Sequence, residues 1–441
     1  MSDVRKNTRP NNNRFRPNRN NVRRENSKAE YFTLRIEKMV QGGEGMTHLE
    51  DGRVCFVAGA LPGELCKVRL TFQKKDFTKG RVVEVLEANA DRVMPRCPHY
   101  GKCGGCSLQH LASAKQAEYL ENVERENFKR LAHADLPTDF FIHTGSAWGY
   151  RNRARVVCRK SPDGRCTFGF RGEESNEIVP FKNCLVLTEG LNAFLQGSAS
   201  ALLSNCRRDI DVNLFDNGMG EISLYYQGMS KSDFDAHAVS HVEIAGRKIE
   251  ADASVFFQSN LGLLPELVES VRNAVDEGLA SGKSTDDWLI DLFSGVGFFA
   301  CILQDKFKRI TTVEREEGCL KHARVNLDKR TLAGSLQTTN AKDERIIENV
   351  SAPAEDWLLE NVVDIPATLV VDPPRTGLPK EALTAIVKSS VNRLIYVSCD
   401  PVTLARDFAK FSEAGFNLSH AEGFAFYPQT PHLEMMFVLD R

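Results

Sequence analysis

From about Ala253 onward the chain alternates short, mainly apolar runs with stretches of helical period. The runs are Leu289-Ile-Asp-Leu-Phe293, Arg309-Ile-Thr-Thr-Val313, Ala367-Thr-Leu-Val-Val-Asp372 and Leu394-Ile-Tyr-Val-Ser398. Strands that stay apolar instead of alternating are covered on both faces, and the intervening helices supply the cover. The pattern predicts a doubly wound, Rossmann-like α/β domain over 253–441. Ligands of such sheets collect beyond the carboxyl ends of the strands, so chemistry is expected there.

Four strand ends carry residues of interest. Asp291-Leu-Phe-Ser-Gly-Val-Gly-Phe-Phe299 leaves the first strand and opens a helix, with Gly295 and Gly297 permitting a tight turn close to a ligand. The second strand ends in Val313-Glu314, 23 residues after Asp291, where an acid can bind ribose hydroxyls. Ala300 replaces the third glycine of a dinucleotide fingerprint, which points away from NAD and toward S-adenosylmethionine, a nucleoside with no pyrophosphate to cradle. The third strand runs into Asp372-Pro-Pro-Arg375. The fourth ends at Cys399, followed by Asp400-Pro401 and a helical stretch. A cysteine there is an inert buried residue, a metal ligand or a nucleophile, and the free N–H groups of the helix start are expected to lower its pKa. Glu434 precedes the last apolar run, as a salt-bridge partner or a proton acceptor of raised pKa.

Upstream, residues 29–93 show short strands between glycine turns and predict a small OB-like barrel, decorated by Lys67, Arg69, Lys74, Lys75, Lys79 and Arg81. Residues 94–252 read as a mixed α/β central domain that opens on Cys97-Pro-His-Tyr-Gly-Lys-Cys103-Gly-Gly-Cys106. Three cysteines leave a tetrahedral zinc site or an iron–sulfur cluster one ligand short, and Cys158, Cys166 and Cys184 are the candidates for the fourth. No apolar run reaches the roughly 18 residues that span a bilayer, and the N-terminus lacks a secretory h-region. A cytoplasmic location is therefore expected, where twelve cysteines argue for metal or catalysis over disulfides. Residues 1–28 carry nine Lys/Arg against two acids and almost no large apolar side chains, which predicts a disordered basic arm able to hold RNA phosphates.

Together these residues resemble the bacterial family of S-adenosylmethionine-dependent RNA uracil-5-methyltransferases, from about residue 31 to the end. The branch they most resemble acts on 23S rRNA at uridine 1939 and carries a TRAM barrel and a four-iron–four-sulfur cluster. The resemblance implies Cys97, Cys103, Cys106 and Cys184 as cluster ligands, the last selected by the stretch Ile178-Val-Pro-Phe-Lys-Asn-Cys184. It implies Gln258 (from Gln258-Ser-Asn260), Phe293, Gly295, Gly297, Glu314, Ala352 and Asp372 as cofactor contacts. Ser398-Cys-Asp-Pro-Val-Thr403 matches the family's nucleophile motif and His432-Leu-Glu434 its base motif, giving Cys399 and Glu434 the catalytic roles. The chain departs from the pattern at Ala425, where the family often has Asp, and near Ala352. The expected partner is 23S rRNA, with no membrane, no obligate protein partner and a monomeric state. The competing readings are an amino-group methyltransferase using Asp372-Pro-Pro-Arg375, the same reaction on another rRNA or tRNA uridine, and a non-catalytic RNA-binding protein.

Overall fold

The computed structural model describes residues 30–160, 166–199, 203, 209–233, 240–327 and 345–441. The basic stretch 1–28 lies outside the described residues. The first unit comprises β1 (Tyr31–Arg35), β2 (Lys38–Met39), β3 (Gly45–His48), β4 (Val54–Ala58), β5 (Leu65–Gln73) and β6 (Phe77–Glu87). Their order in the sheet is β1-β5-β6-β4-β3-β2. The two outer strands are consecutive in sequence, separated only by Ile36 and Glu37. The sheet must therefore curl until its ends meet, and Ile36 N donates to Glu64 O while Glu37 N donates to Met46 O at that seam, both at 2.9 Å. Ile36, Cys55, Val57, Cys66 and Val68 fill the interior.

A helix, α1 (Ser113–Ala132), and a two-residue strand, β7 (Ile142–His143), follow. Next come β8 (Arg153–Lys160), β9 (Cys166–Arg171), β10 (Ile178–Pro180), α2 (Glu189–Gln196), β11 (Ile210–Asp216) and β12 (Ile222–Tyr226). These strands form an antiparallel sheet in the order β10-β9-β8-β11-β12. Helix α2, capped by the Thr188 hydroxyl accepting from Leu191 N at 3.2 Å, buries Leu191 and Leu195 against Val156, Phe168 and Leu214. A hairpin of β13 (Ser240–Ile244) and β14 (Arg247–Ala251) leads into the last unit.

That unit holds α3 (Leu264–Ser281), β15 (Trp288–Leu292), α4 (Phe298–Leu303), β16 (Arg309–Glu314), α5 (Glu317–Asn326) and β17 (Ile346–Ser351). It continues with α6 (Ala354–Glu360), β18 (Ala367–Val371), α7 (Lys380–Lys388), β19 (Val391–Ser398), α8 (Pro401–Glu413), β20 (Asn417–Phe424) and β21 (Glu434–Asp440). The sheet order is β17-β16-β15-β18-β19-β21-β20-β7. β15 to β19 pair in parallel, and β21 runs antiparallel between β19 and β20. Every residue of β15, β18 and β21 is buried, in keeping with their mainly apolar character. The chain order reverses at β15, which leaves a crevice between the β15 and β18 ends. The linker contributes to this unit: β7 extends the sheet beside β20, and Phe128 of α1 packs on Phe408 and Phe437 with ring centroids 5.0 and 5.3 Å away.

One buried ion pair ties this sheet to α3. Arg393 on β19 is fully enclosed. Its Nε lies 2.6 Å from Asp440 Oδ1 and its Nη2 2.7 Å from Oδ2, while Nη1 donates to the Ala274 carbonyl. A Cβ on Gly278 would stand 2.6 Å from Nη1, so the bare helix backbone there makes room for the guanidinium. Burial pushes the Asp440 carboxyl up, but the hydrogen bonds from Arg393 and Lys283 outweigh it and hold the group below the usual carboxylate range. Stability drawn from this lowered pKa is present above the unfolded value near ~4 and is lost as pH falls through the folded one. Replacing only the cation strands a buried carboxylate, so Arg393→Leu is expected to lose about 3–5 kcal/mol in urea unfolding at neutral pH. The loss should shrink as pH is lowered through 4.

Candidate active site

The loop after β15 is set by three left-handed residues: Phe293 at φ 58°, Gly295 at 53° and Gly297 at 73°. A phenylalanine in that region is strained, and such strain collects at ligand loops. Two carboxylates hold the loop. Asp291 accepts from Ala300 N at 2.9 Å, and Glu314, at the end of β16, accepts from Gly295 N at 3.0 Å and Glu316 N at 2.9 Å. Burial drives the Asp291 carboxyl up to about 8. Its Oδ1 and the Ser294 hydroxyl are both buried without a partner. The loop borders a cavity of about 610 Å³ whose walls include Gln258, Phe293, Gly295, Glu314, Ala352, Asp372, Cys399 and Glu434. Unmatched polar atoms, a glycine whose Cβ would stand in open space (Gly295) and apolar walls suit a nucleoside cofactor. At Gly297, between cavity-lining Val296 and Phe298, a Cβ would meet the Ala323 Cβ at 3.1 Å, so this glycine lets α5 pack against the loop.

At the other end of the cavity, strand pairing sets the chemistry. Ser398, the last residue of β19, pairs with Met435 of β21. One step further along the same register places Cys399 opposite Glu434. Antiparallel partners have Cα atoms roughly 4.5–5.5 Å apart. Asp372 follows directly on β18, the other neighbour of β19, and completes the group. The adjoining Pro373–Gly377 turn is pinned by Asp407 of α8, whose Oδ2 accepts from Leu378 N at 2.9 Å and from the Tyr396 hydroxyl at 2.8 Å. Arg406 Nη2 donates to Thr376 O at 3.0 Å on the same side.

The expectation of a lowered thiol pKa is overturned. Burial pushes the Cys399 thiol up to about 12, Glu434 and Asp372 add to the rise, and Arg375, hydrogen-bonded to the thiol, opposes it. The helix start gives little help because Asp400 caps it, accepting from Thr403 N at 2.9 Å and setting a carboxylate against its positive end. Glu434 is buried, and burial with the nearby Asp372 raises its carboxyl well above the ordinary range, Arg375 again opposing. Asp372, open to the cavity on one side, rises to about 7 by burial. Arg375, Tyr427 and His432 also line the cavity. Arg375 and His432 lie inside the motifs Asp372-Pro-Pro-Arg375 and His432-Leu-Glu434, and Tyr427 is brought to the same cavity by the fold.

The four predicted metal ligands come together at a second, smaller cavity, lined by Cys97, Cys103, Cys106 and Cys184. Cys158 is instead part of the core under the central sheet, and Cys166 packs at its edge. Asn192 of α2 fixes the Cys184 backbone, accepting from its N at 2.9 Å and donating to its O at 3.0 Å. Gly105 N lies 3.4 Å from Cys103 Sγ, and a Cβ on Gly104 would press on the Arg171 carbonyl at 3.2 Å. Among the described residues no group of three or more His, Cys, Asp or Glu side chains is arranged to hold a metal ion.

The sheet order, the glycine loop and the cavity at the strand ends define a methyltransferase of the doubly wound class. Residues 230–441 match the family model described as tRNA (Uracil-5-)-methyltransferase, and residues 28–83 match the TRAM domain. An RNA methyltransferase of Treponema denticola, described as uncharacterized, is 30% identical over 422 residues, covering 91% of this chain and 97% of that protein. The 23S rRNA (uracil(1939)-C(5))-methyltransferase of Shewanella sediminis is 29% identical over 436 residues, covering 92% of this chain and 95% of that protein. The crystal structure of Pyrococcus abyssi tRNA (uracil-54, C5)-methyltransferase with S-adenosyl-L-homocysteine superposes with a TM-score of 0.65 at 20% identity, over 92% of this chain and 99% of that one. The chain belongs to the RNA uracil-5-methyltransferase family: it is an S-adenosylmethionine-dependent RNA (uracil-C5)-methyltransferase with an N-terminal TRAM domain. Among the described residues no helix is long and apolar enough to cross a membrane.

The raised thiol pKa gives a direct test on the free protein. The iodoacetamide reactivity assigned to Cys399, taken as the difference from Cys399→Ser, should climb about tenfold per pH unit from 7 to 10 without levelling. A plateau near pH 8 would show an unperturbed thiol.

Proposed function

We propose that the protein methylates C5 of a uridine in 23S rRNA, at the site equivalent to uridine 1939, through a bond from the Cys399 sulfur to C6 of the uracil. The register that sets Cys399 opposite Glu434 carries this reading. C5 of uracil is a poor nucleophile. Thiolate addition at C6 turns the ring into an enolate, and C5 becomes electron-rich enough to attack a methyl sulfonium. S-adenosylmethionine supplies that methyl group when bound. The C5 proton must then leave so that sulfur can be eliminated, and a carboxylate whose pKa burial has raised is a base of matching strength. Glu434 fills that role. Arg375 stabilises the thiolate that attacks and, later, the one that departs. Gln258, Phe293, Gly295, Glu314, Ala352 and Asp372 would hold the cofactor along the cavity, with Gly297 supporting the loop from behind.

A uridine reaches this enclosed thiol only if it leaves its base stack. The TRAM barrel offers RNA a surface for its remaining bases and phosphates. The exposed Phe72 ring lies 5.6 Å below Lys74 Nζ, which also sits 5.5 Å from Phe77, a combination suited to stacking and phosphate contact. At the cysteine cavity we propose a four-iron–four-sulfur cluster on Cys97, Cys103, Cys106 and Cys184. The four cysteines that line this cavity would be its thiolate ligands.

With RNA and cofactor, Cys399→Ala should yield neither methylation nor a covalent RNA complex. Glu434→Gln should form the complex and retain it on denaturing gels, with turnover down by about a hundredfold or more. Methylation by the Cys399→Ala protein would refute the covalent route. For the cluster, protein isolated without oxygen should be brown and contain about four iron atoms per chain. A colourless protein with one zinc would overturn that assignment.

A further inference from the structure

The loop that delivers Glu434 is fastened at one residue, Gln429, which lies five positions before it. Gln429 is 1% exposed and holds a φ of 70°, a left-handed backbone that glycine or asparagine would ordinarily occupy. A strained glutamine at an active-site loop persists only where its surroundings determine it, and calls for a functional explanation. All four of its polar groups face the segment that leaves the cysteine loop. Its carbonyl accepts from Ser107 N at 3.0 Å and Leu108 N at 2.9 Å, the two amides directly after Cys106. Its own N donates to Gln116 Oε1 at 2.9 Å, and its side-chain Oε1 accepts from Gln116 Nε2 at 3.0 Å. Its Nε2 donates to the Ser113 hydroxyl at 2.8 Å, at the start of α1.

We propose that Gln429 is a positioning residue that locks the loop carrying Glu434 to the exit of the cysteine loop, so that the state of the cysteine site is felt at the base. The proposal rests on the reading of Glu434 as that base. A cysteine loop that loosens withdraws the Ser107 and Leu108 amides from the Gln429 carbonyl. The loop then loses its anchor, and the Glu434 carboxylate its fixed place opposite Cys399. The step that suffers is proton removal and release of Cys399, while attack by the thiol, held on β19, is untouched.

The test uses the full-length, cluster-loaded enzyme. Gln429→Gly removes the side chain while keeping a residue at ease with the left-handed backbone, and Gln116→Ala removes the partner. Amide exchange of residues 427–434 should accelerate about tenfold in either variant. The RNA adduct should form at the wild-type rate and decay about tenfold more slowly. The double variant should add little to the single ones. Removal of iron by chelation should raise exchange in 427–434 of the wild type as well. Unchanged exchange there, or equal slowing of adduct formation and decay, would overturn the proposal. Should Gln429→Gly fail to fold, Gln429→Asn keeps a tolerated backbone and is too short to reach both Gln116 and Ser113. Glu434→Gln, run alongside, separates the two readings. If it does not accumulate adduct, the base assignment falls, and the exchange rates alone decide whether Gln429 fastens the loop.

Discussion

The antiparallel pairing of β19 with β21 is the constraint on which the rest of the site depends. β19 belongs to the parallel set, and its end delivers Cys399 to the crevice as any such strand delivers a residue. A further parallel strand would have placed its own carboxyl end there. β21 instead starts at the crevice, so its first residue, Glu434, meets Cys399, the residue directly after β19. The proposed nucleophile and the proposed base are thus set side by side by the pairing of their strands. The buried bidentate pair between Arg393 and Asp440 closes the far end of the same two strands, where Arg393 is itself the register partner of Asp440. A slip of β21 by one residue would turn Glu434 to the opposite face and break that ion pair.

The electrostatics follow from this closeness. Two carboxyl groups and a thiol share a site with one guanidinium, so not all of the acids can be ionised together. The free enzyme therefore rests with its thiol protonated. This suits an enzyme whose substrate must first be drawn from a folded RNA, because a free thiolate would be open to oxidation and alkylation in the interval. A raised pKa makes a thiolate a poorer leaving group, and in the proposed reaction Arg375, hydrogen-bonded to the sulfur, offsets that. The same burial that hinders ionisation of Glu434 makes it a stronger base when ionised.

Much of this was legible in the chain. The unbroken apolar runs announced buried parallel strands, and their ends pointed to Asp291, Glu314, Asp372 and Cys399, all of which the fold brings to one edge of the sheet. Other features left no trace in local sequence. β7 is two residues long and joins the sheet through pairs with Gly423 and Phe424, far beyond any periodic signal. The thiol pKa was misread because a helix start is recognisable in sequence, whereas burial beside two carboxylates is a property of the assembled site. Asp400 had been seen as a break before the helix, but its side chain proved to be the cap that occupies the helix's free amides. Gly297 also serves packing. Its neighbour is Ala323, more than twenty positions away, and only packing reveals that.

The loop between β20 and β21 explains why a methyltransferase sheet should carry so much chain ahead of it. Gly43, in a turn of the barrel, lies so near Pro431 that a Cβ there would approach it to 3.2 Å. The Tyr150 hydroxyl, just ahead of the central sheet, donates to Pro428 O at 2.9 Å, and Asn260, at the entry to the catalytic unit, donates to Phe426 O at 3.1 Å. Barrel, central segment and catalytic sheet thus converge on the few residues that aim Glu434. A short loop stretched between two strands would not hold a left-handed glutamine by itself. It does so here because the segment from Ser107 to Gln116 holds the glutamine while the barrel and the central segment close on the loop at Pro431 and Pro428. In the proposed reaction, proton removal at Glu434 is therefore tied by direct packing to the barrel and to the central segment.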